Sequence, residues 1–298
     1  RFDRAAVPGL AWYMLTRGEP VPYLRWRSDV EGLAESQQLQ RDGWVLLPRV
    51  FEPDDVASLA ADVTRVFDEL PPDGRRPGRD SVEAEQFRYE MLNRSARCQE
   101  VIGNRRILDV VEPLLGEDCH VIANTAWRNP PDVEHTHGGG RWHIDAGPHI
   151  PLPPDVDWDE RIPHPVFAVA CHIILQNCPA ACGPTGVIPH SHLSGQPPPS
   201  DRLEDPTLTW RGNEPIVLEA KAGDVQLFVS DAWHRRMPTE PGDEGRFFLQ
   251  VHYARRDIAQ RLRTTAVTNQ LSTDALERAT TDRERTLIGL HRPLFYDG

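Results

Sequence analysis

The eight residues RFFLQVHY at 246–253 constrain the fold more than any other stretch. Side chains along an extended chain point to opposite faces in turn. Arg246, Phe248, Gln250 and His252 therefore share one side, and Phe247, Leu249, Val251 and Tyr253 the other. One face must pack on something apolar, while the other is semi-polar and faces either a barrel mouth or solvent. Further short β-type runs at 119–127, 166–176, 215–219 and 224–230, separated by turn clusters, predict one antiparallel β region with helices in front of it.

The helices announce themselves by period. Val56, Leu59, Val63, Phe67 and Leu70 recur at three- and four-residue steps after the start signals Pro53 and Asp54, which predicts a helix over 54–70 with one buried face. Ile107, Leu108, Val111, Leu114 and Leu115 mark another, closed by Gly116. Ser28 and Glu31 form a capping box for a short helix that ends before Gly43, and Trp44 to Leu47 is a buried strand candidate. Residues 71–82 are polar and rich in Pro and Gly, hence a loop. After 255 helical texture returns, with Ser272 or Thr273 as a cap and an apolar end over Thr286 to Leu290. No repeat or linker divides the chain. It reads as one domain: a helical part over about 1–118, a β core over about 119–254 and a helical extension over about 255–298.

Eight of the 28 prolines fall between Pro130 and Pro165, among Asp155, Asp157, Asp159, Glu160 and Arg161. Proline removes ladder donors, so this insert cannot be regular sheet throughout. It is either a substrate-contacting loop beside the β scaffold or a decorative surface loop.

Lys plus Arg number 33 against 45 for Asp plus Glu, a net charge of −12 that repels phosphate backbones and anionic lipid headgroups. Nucleic acid and membrane are excluded as partners. No stretch reaches the ~18 apolar residues a membrane span needs, and residues 1–30 lack an apolar signal core, so a soluble, cytoplasmic protein is expected. The five cysteines fit reduced thiols better than a disulfide framework, and Cys178 and Cys182 read as a loop pair rather than a metal clip.

Chemistry gathers in the β region. His143 and Asp145 are two apart in Arg-Trp-His-Ile-Asp-Ala-Gly, so on a strand both project from one face. His234 follows the strand Val225 to Ser230, and a barrel can bring it beside that pair. The result is the two-histidine, one-carboxylate facial set that leaves three positions of an octahedral iron open. Arg246 begins the next strand. If 235–245 is a hairpin loop, Arg246 returns alongside His234 with its guanidinium fork facing the interior. Iron(II), one carboxylate and a bound dicarboxylate oxo acid leave one uncompensated negative charge, which Arg246 neutralises. Among 12 histidines, His135/His137 and His190/His192 are rival pairs. The first lies in a glycine-rich stretch without strand pattern; the second follows a turn-strand-turn pattern and reads as structural. His120, His149, His164, His252 and His291 read as surface or hydrogen-bonded histidines.

The order of these parts resembles a known family. His143-x-Asp145, then Gly183-Pro184 leading through Ile188-Pro189 to Ser191-His192, then a β-run ending in His234, then Arg246 heading a strand that ends in Tyr253, is similar to the phytanoyl-CoA dioxygenase family of iron(II)- and 2-oxoglutarate-dependent oxygenases. Gly43-Trp-Val-Leu-Leu-Pro48 leading into Phe51-Glu-Pro-Asp-Asp resembles that family's opening, so the likeness spans about 36–254. It implies a mainly β, double-stranded β-helix (jelly-roll, cupin-like) core with flanking helices. It also implies Fe(II) on His143, Asp145 and His234, 2-oxoglutarate on Arg246, O2 as oxidant, and Trp142, His172 and Asn129 lining the cosubstrate pocket. The chain departs from the family's pattern at Arg236, where a small hydroxyl residue is usual, and at His172, where an aromatic is frequent. Asp145 favours hydroxylation, desaturation or ring closure over halogenation, because related halogenases lack that carboxylate. The acidic balance suits a neutral or cationic small molecule, as in secondary metabolism, over an acyl-CoA; oligomeric state is not legible. Two other classes fit the ligands: a jelly-roll zinc hydrolase or isomerase, which needs no Arg246, and a catalytically silent ligand binder.

Overall fold

A computed structural model describes residues 33–69, 86–131, 139–259 apart from 146, 157 and 160, and 271–291. The Ser28/Glu31 capping box, the loop at 71–82, and His135 and His137 lie outside the described residues.

The alternating run forms β9 (Arg246–Ala254), and its two faces separate as the pattern requires. Leu249, Val251 and Tyr253 are buried in the main hydrophobic core, and Phe247 packs against it. Strand β9 sits inside a six-stranded sheet of order β1-β7-β4-β9-β3-β2. The other members are β1 (Trp44–Leu47), β2 (Phe87–Tyr89), β3 (His120–Asn129), β4 (Ala168–Ile174) and β7 (Val225–Val229). Every pairing is antiparallel. A three-stranded sheet of order β6-β5-β8, built from β6 (Ile216–Val217), β5 (Thr185–Val187) and β8 (His234–Arg236), forms the second wall. Two facing antiparallel sheets make the double-stranded β-helix core, with the polar face of β9 turned into the space between them.

The helices cover the outer face of the larger sheet. Helix α1 (Leu33–Asp42) ends at Gly43, whose φ of 85° suits a helix stop that lacks a Cβ. Helix α2 (Pro53–Glu69) buries Val56, Leu59, Val63, Val66 and Phe67, and Phe67 meets Phe247 edge to face at 6.5 Å. Two short helices follow, α3 (Met91–Arg94) and α4 (Ala96–Val101); then comes α5 (Arg105–Leu115). The carboxamide of Asn104 caps α5 by accepting from the Arg106 and Ile107 amides. At the C-terminal end, Ser272 caps α6 (Thr273–Arg278), and Thr281 with Glu284 forms a capping box for α7 (Asp282–Leu287). The same core cluster collects α2, α5 and the apolar faces of β4, β7 and β9. All five cysteines are buried and unpaired.

Two readings change in detail. Between Asn129 and Ala168 the described residues contain no helix or strand, only a single bridge pairing His143 with His234. His143 and Asp145 thus share a face without a full strand beneath them. Nor does 235–245 return as a hairpin: β8 belongs to the small sheet and β9 to the large one, between β4 and β3. The chain crosses from one wall to the other, so Arg246 faces the interior from the opposite sheet to His234.

Candidate metal centre

Backbone pairing brings the first three residues together. The amide and carbonyl of His143 exchange two hydrogen bonds with those of His234, each 3.0 Å, and the Asp145 amide donates to the Ser230 carbonyl at 3.1 Å. Those bonds lock residues 143–145 onto β8 and the end of β7, although they lie about ninety positions apart in sequence. The imidazole rings approach to 4.3 Å between centroids. Nε2 of His234 lies 3.5 Å from Oδ2 of Asp145, and Nε2 of His143 lies 3.9 Å from Oδ1. One ligand atom from each of the three lies within 4.8 Å of the others.

The protons of these rings are assigned by their partners. Nδ1 of His143 faces the Arg141 carbonyl at 2.7 Å and Nδ1 of His234 faces the Ala232 carbonyl at 2.9 Å. A carbonyl only accepts, so each Nδ1 carries the hydrogen and each Nε2 keeps its lone pair on the side where the carboxylate lies. Burial, and then the neighbouring His234 ring, push His143 down to about 4, so its ring is neutral at physiological pH. Burial alone would raise the Asp145 carboxyl, but the imidazoles of His234 and His252 hold it well below the ordinary carboxylate range. Two imidazoles and one ionised carboxylate converge, which is the donor set an open-sided iron site uses.

Arg246 closes the other end of the interior. It is buried, and among the described residues its one hydrogen-bond acceptor is Oδ1 of Asn129, at 3.3 Å across the β3–β9 ladder. Burial, and then the charge of Arg236, push its guanidinium down to about 9. A buried cation with a single neutral partner is costly, and an anion entering beside it offsets that cost.

A sequence profile of the phytanoyl-CoA dioxygenase (PhyH) family matches residues 39–237, about two thirds of the chain. The chain belongs to the phytanoyl-CoA dioxygenase family. Its members are iron(II)- and 2-oxoglutarate-dependent enzymes. No curated protein matches the sequence significantly. Among solved structures, the epimerase SnoN in complex with Fe3+, alpha-ketoglutarate and nogalamycin RO is similar, with a TM-score of 0.56, 19% identity, and coverage of 78% of this chain and 86% of that one. The carbocyclase SnoK from nogalamycin biosynthesis gives 0.53, 18%, 88% and 94%. EctD from S. alaskensis in its apoform gives 0.54, 20%, 92% and 87%. At such identities these likenesses establish the shared fold.

The remaining residues that this phytanoyl-CoA dioxygenase family member was expected to place in its pocket fall in different surroundings. His172 lies on the inner face of β4, 4.5 Å from the Phe248 ring and 5.1 Å from that of Phe228, and burial followed by the Arg246 charge pushes it down to about 3. Asn129 touches Arg246 and donates to Oε1 of Gln86 at 2.9 Å. Trp142 turns the other way. It is buried with Ile188, Leu208 and Trp233, and its Nε1 donates to the Asp205 carbonyl at 2.6 Å. His190 and His192 bond the carbonyls of Arg41 and Gln40, a structural duty that ties the turn after β5 to α1.

One residue at the centre escaped the sequence reading. His252 is buried, and its Nε2 donates to Oδ2 of Asp145 at 2.9 Å. The signal was present in the alternation of β9, which puts His252 on the same face as Arg246, but nothing in the sequence said which distant carboxylate it would meet. Beside His143 opens a cavity of 680 Å3, walled in part by Arg141, Arg235, Arg236, Glu204 and Met237.

Proposed function

We propose that this chain is an iron(II)- and 2-oxoglutarate-dependent dioxygenase that oxidises a small organic molecule, with His143, Asp145 and His234 as the metal ligands and Arg246 as the anchor for the distal carboxylate of 2-oxoglutarate. The observation that carries the reading is the pair of imidazoles whose Nδ1 hydrogens are committed to backbone carbonyls, so that both Nε2 lone pairs and the Asp145 carboxylate address one point. When bound, iron with 2-oxoglutarate and O2 supplies the oxidising power, releasing succinate and CO2. The chain's own residues do the rest. His143, Asp145 and His234 occupy one side of the metal and leave the other to cosubstrate and oxygen. Arg246 neutralises and orients the dicarboxylate from the opposite wall, where the rings of Phe228, Phe248 and His172 pack on one another.

The buried Arg246, whose one hydrogen-bond acceptor among the described residues is a neutral amide, favours this reading over a zinc hydrolase or a silent binder, neither of which gives that guanidinium a task. Hydroxylation is the reaction we place first. The neighbouring SnoN and SnoK are an epimerase and a carbocyclase, so this fold also serves outcomes other than hydroxylation. The substrate we infer is a neutral or cationic small molecule. The cavity beside His143 has the volume of a metabolite-sized site, and its arginines are already engaged. Arg141 pairs with Glu204 at 3.5 Å, Arg236 with Asp243 at 3.9 Å, and Arg235 donates to the carbonyls of Arg236 and Glu204. The many phosphates of an acyl-CoA would need cations free to receive them.

Anaerobic titration of the apoprotein with Fe(II) and then 2-oxoglutarate tests the assignment. The wild type is expected to develop the weak visible charge-transfer band of the chelate. His234→Ala should abolish it through loss of metal, and Arg246→Ala should abolish it through loss of 2-oxoglutarate while Fe(II) still binds. A band that survives both substitutions sinks the proposal.

A further inference from the structure

The contact between His252 and Asp145 is the feature of the interior that the ligand set does not account for. His252 lies on β9 where its pairing partners are Ala170 of β4 and Ala123 of β3, two small residues that leave the inner face open around the imidazole. The β3–β9 register shifts between Val121 and Ala123, directly beside His252. The extra residue is Ile122 on β3, and such irregularities gather next to active sites. By the alternation of β9, His252 points into the interior and reaches Asp145, whose amide bonds the Ser230 carbonyl at the end of β7 and whose near neighbour His143 pairs with β8. The contact thus ties β9 to the segment that carries His143 and Asp145, ending on a carboxylate that lies within 4.8 Å of the two histidine ligand atoms.

We propose that His252 is a positioning residue for the metal centre: its Nε2–H holds the plane of the Asp145 carboxylate so that a metal ligand oxygen faces the point the two imidazoles address. The proposal rests on the ligand assignment made above. Asp145 follows residues joined to β8 by a single bridge rather than a full strand. A carboxylate offers a metal an oxygen only in some of its orientations. A buried donor on Oδ2 favours one of them before the metal arrives. Partners of this kind, which touch the ligand and not the metal, typically change metal affinity by about 10–100-fold when removed.

Two amides of different reach test this. In His252→Gln the side-chain NH2 can occupy the place of Nε2, while in His252→Asn it falls short of Asp145. His252→Phe keeps a ring and removes the donor. Each protein is titrated anaerobically with Fe(II) by calorimetry, then with 2-oxoglutarate at saturating Fe(II), and the apoprotein melting temperature is recorded. Fe(II) affinity should stay within about threefold of wild type in the Gln variant and fall about 10–100-fold in the Asn and Phe variants. The 2-oxoglutarate affinity at saturating iron and the melting temperature should hold in all three. Equal Fe(II) affinity in the Gln and Asn variants overturns the proposal. So does a parallel loss of Fe(II) binding and thermal stability in all three, which marks a packing role alone. Failure of the wild type itself to take up Fe(II) marks the functional reading as the point of failure, independently of how the variants rank.

Discussion

Gln86 and Asn129 set where the Arg246 guanidinium points. An amide has one acceptor end and one donor end, and Gln86 takes the donor end of Asn129, which turns the Oδ1 of Asn129 toward Nε of Arg246. Replacing Asn129 by Leu keeps the volume and removes the relay, so Arg246 loses its fixed direction but not its charge. The dissociation constant for 2-oxoglutarate, read by calorimetry at saturating Fe(II), should rise about tenfold, as expected for about 1–1.5 kcal/mol from one hydrogen bond, while Fe(II) affinity stays unchanged. An unchanged 2-oxoglutarate constant would show that packing of Arg246 on the Phe248 ring, 5.1 Å away, suffices to aim it. At this scale His143, Asp145, His234 and Arg246 were legible because each sits at a defined place in a spaced motif. His252 and Gln86 were not, because a hydrogen bond between strands distant in sequence leaves no local pattern.

Strand β9 is the element on which the interior and the core both depend. Its inward residues carry Arg246, Gln250 and His252, and its outward residues key the sheet to the helices. Gln250 accepts from Thr125 at 3.2 Å and from Nε1 of Trp127 at 3.0 Å, so the inner face is itself cross-braced to β3. Leu249 is fully buried on the outer face between these contacts. Leu249→Ala should lower the free energy of unfolding by about 2–5 kcal/mol, the range for a large-to-small change in a close-packed core, measured by urea unfolding of the apoprotein. A loss under 1 kcal/mol would mean that the helices collapse into the gap and that the layer is less rigid than its packing indicates. The alternation of β9 was plain in the sequence because a period of two needs no partner to be read. The sheet to which it belongs was not, since the crossing of 235–245 between walls has no sequence signature distinct from a hairpin loop.

Over the whole molecule, folding takes several imidazoles out of water in their neutral form. Burial, and then the neighbouring His164, push His192 down to about 4; burial, then Arg246, pushes His172 down to about 3; burial, then His120, pushes His291 down to about 4. Nε2 of His291 meets Nδ1 of His120 at 2.8 Å, while Nε2 of His120 donates to the Ile258 carbonyl at 2.9 Å, so a single hydrogen serves the two facing nitrogens. Below pH about 6.5 the unfolded chain takes up protons on these groups and the folded chain does not. Stability is therefore complete above that pH and drains away as pH falls toward 4, by on the order of 3 kcal/mol for His192 alone. The urea midpoint of the apoprotein should fall steadily between pH 7 and pH 4.5, and His192→Gln should flatten the slope. A midpoint independent of pH over that window would contradict the neutral histidine interior.

By itself the sequence determined the kinds of element, the faces they bury, the absence of any stretch able to span a membrane, and the four side chains that stand at spaced motif positions. These follow from local rules, since periodicity, caps and spacing depend only on residues near one another along the chain. Tertiary structure alone decided that His143 pairs with His234 by backbone bonds, that Arg246 faces them from the opposite sheet, that Trp142 packs away from them, and that His252 donates to Asp145. Each of those contacts depends on which distant strands meet and in which register, and register is set by the burial of both sheets at once rather than by any one segment.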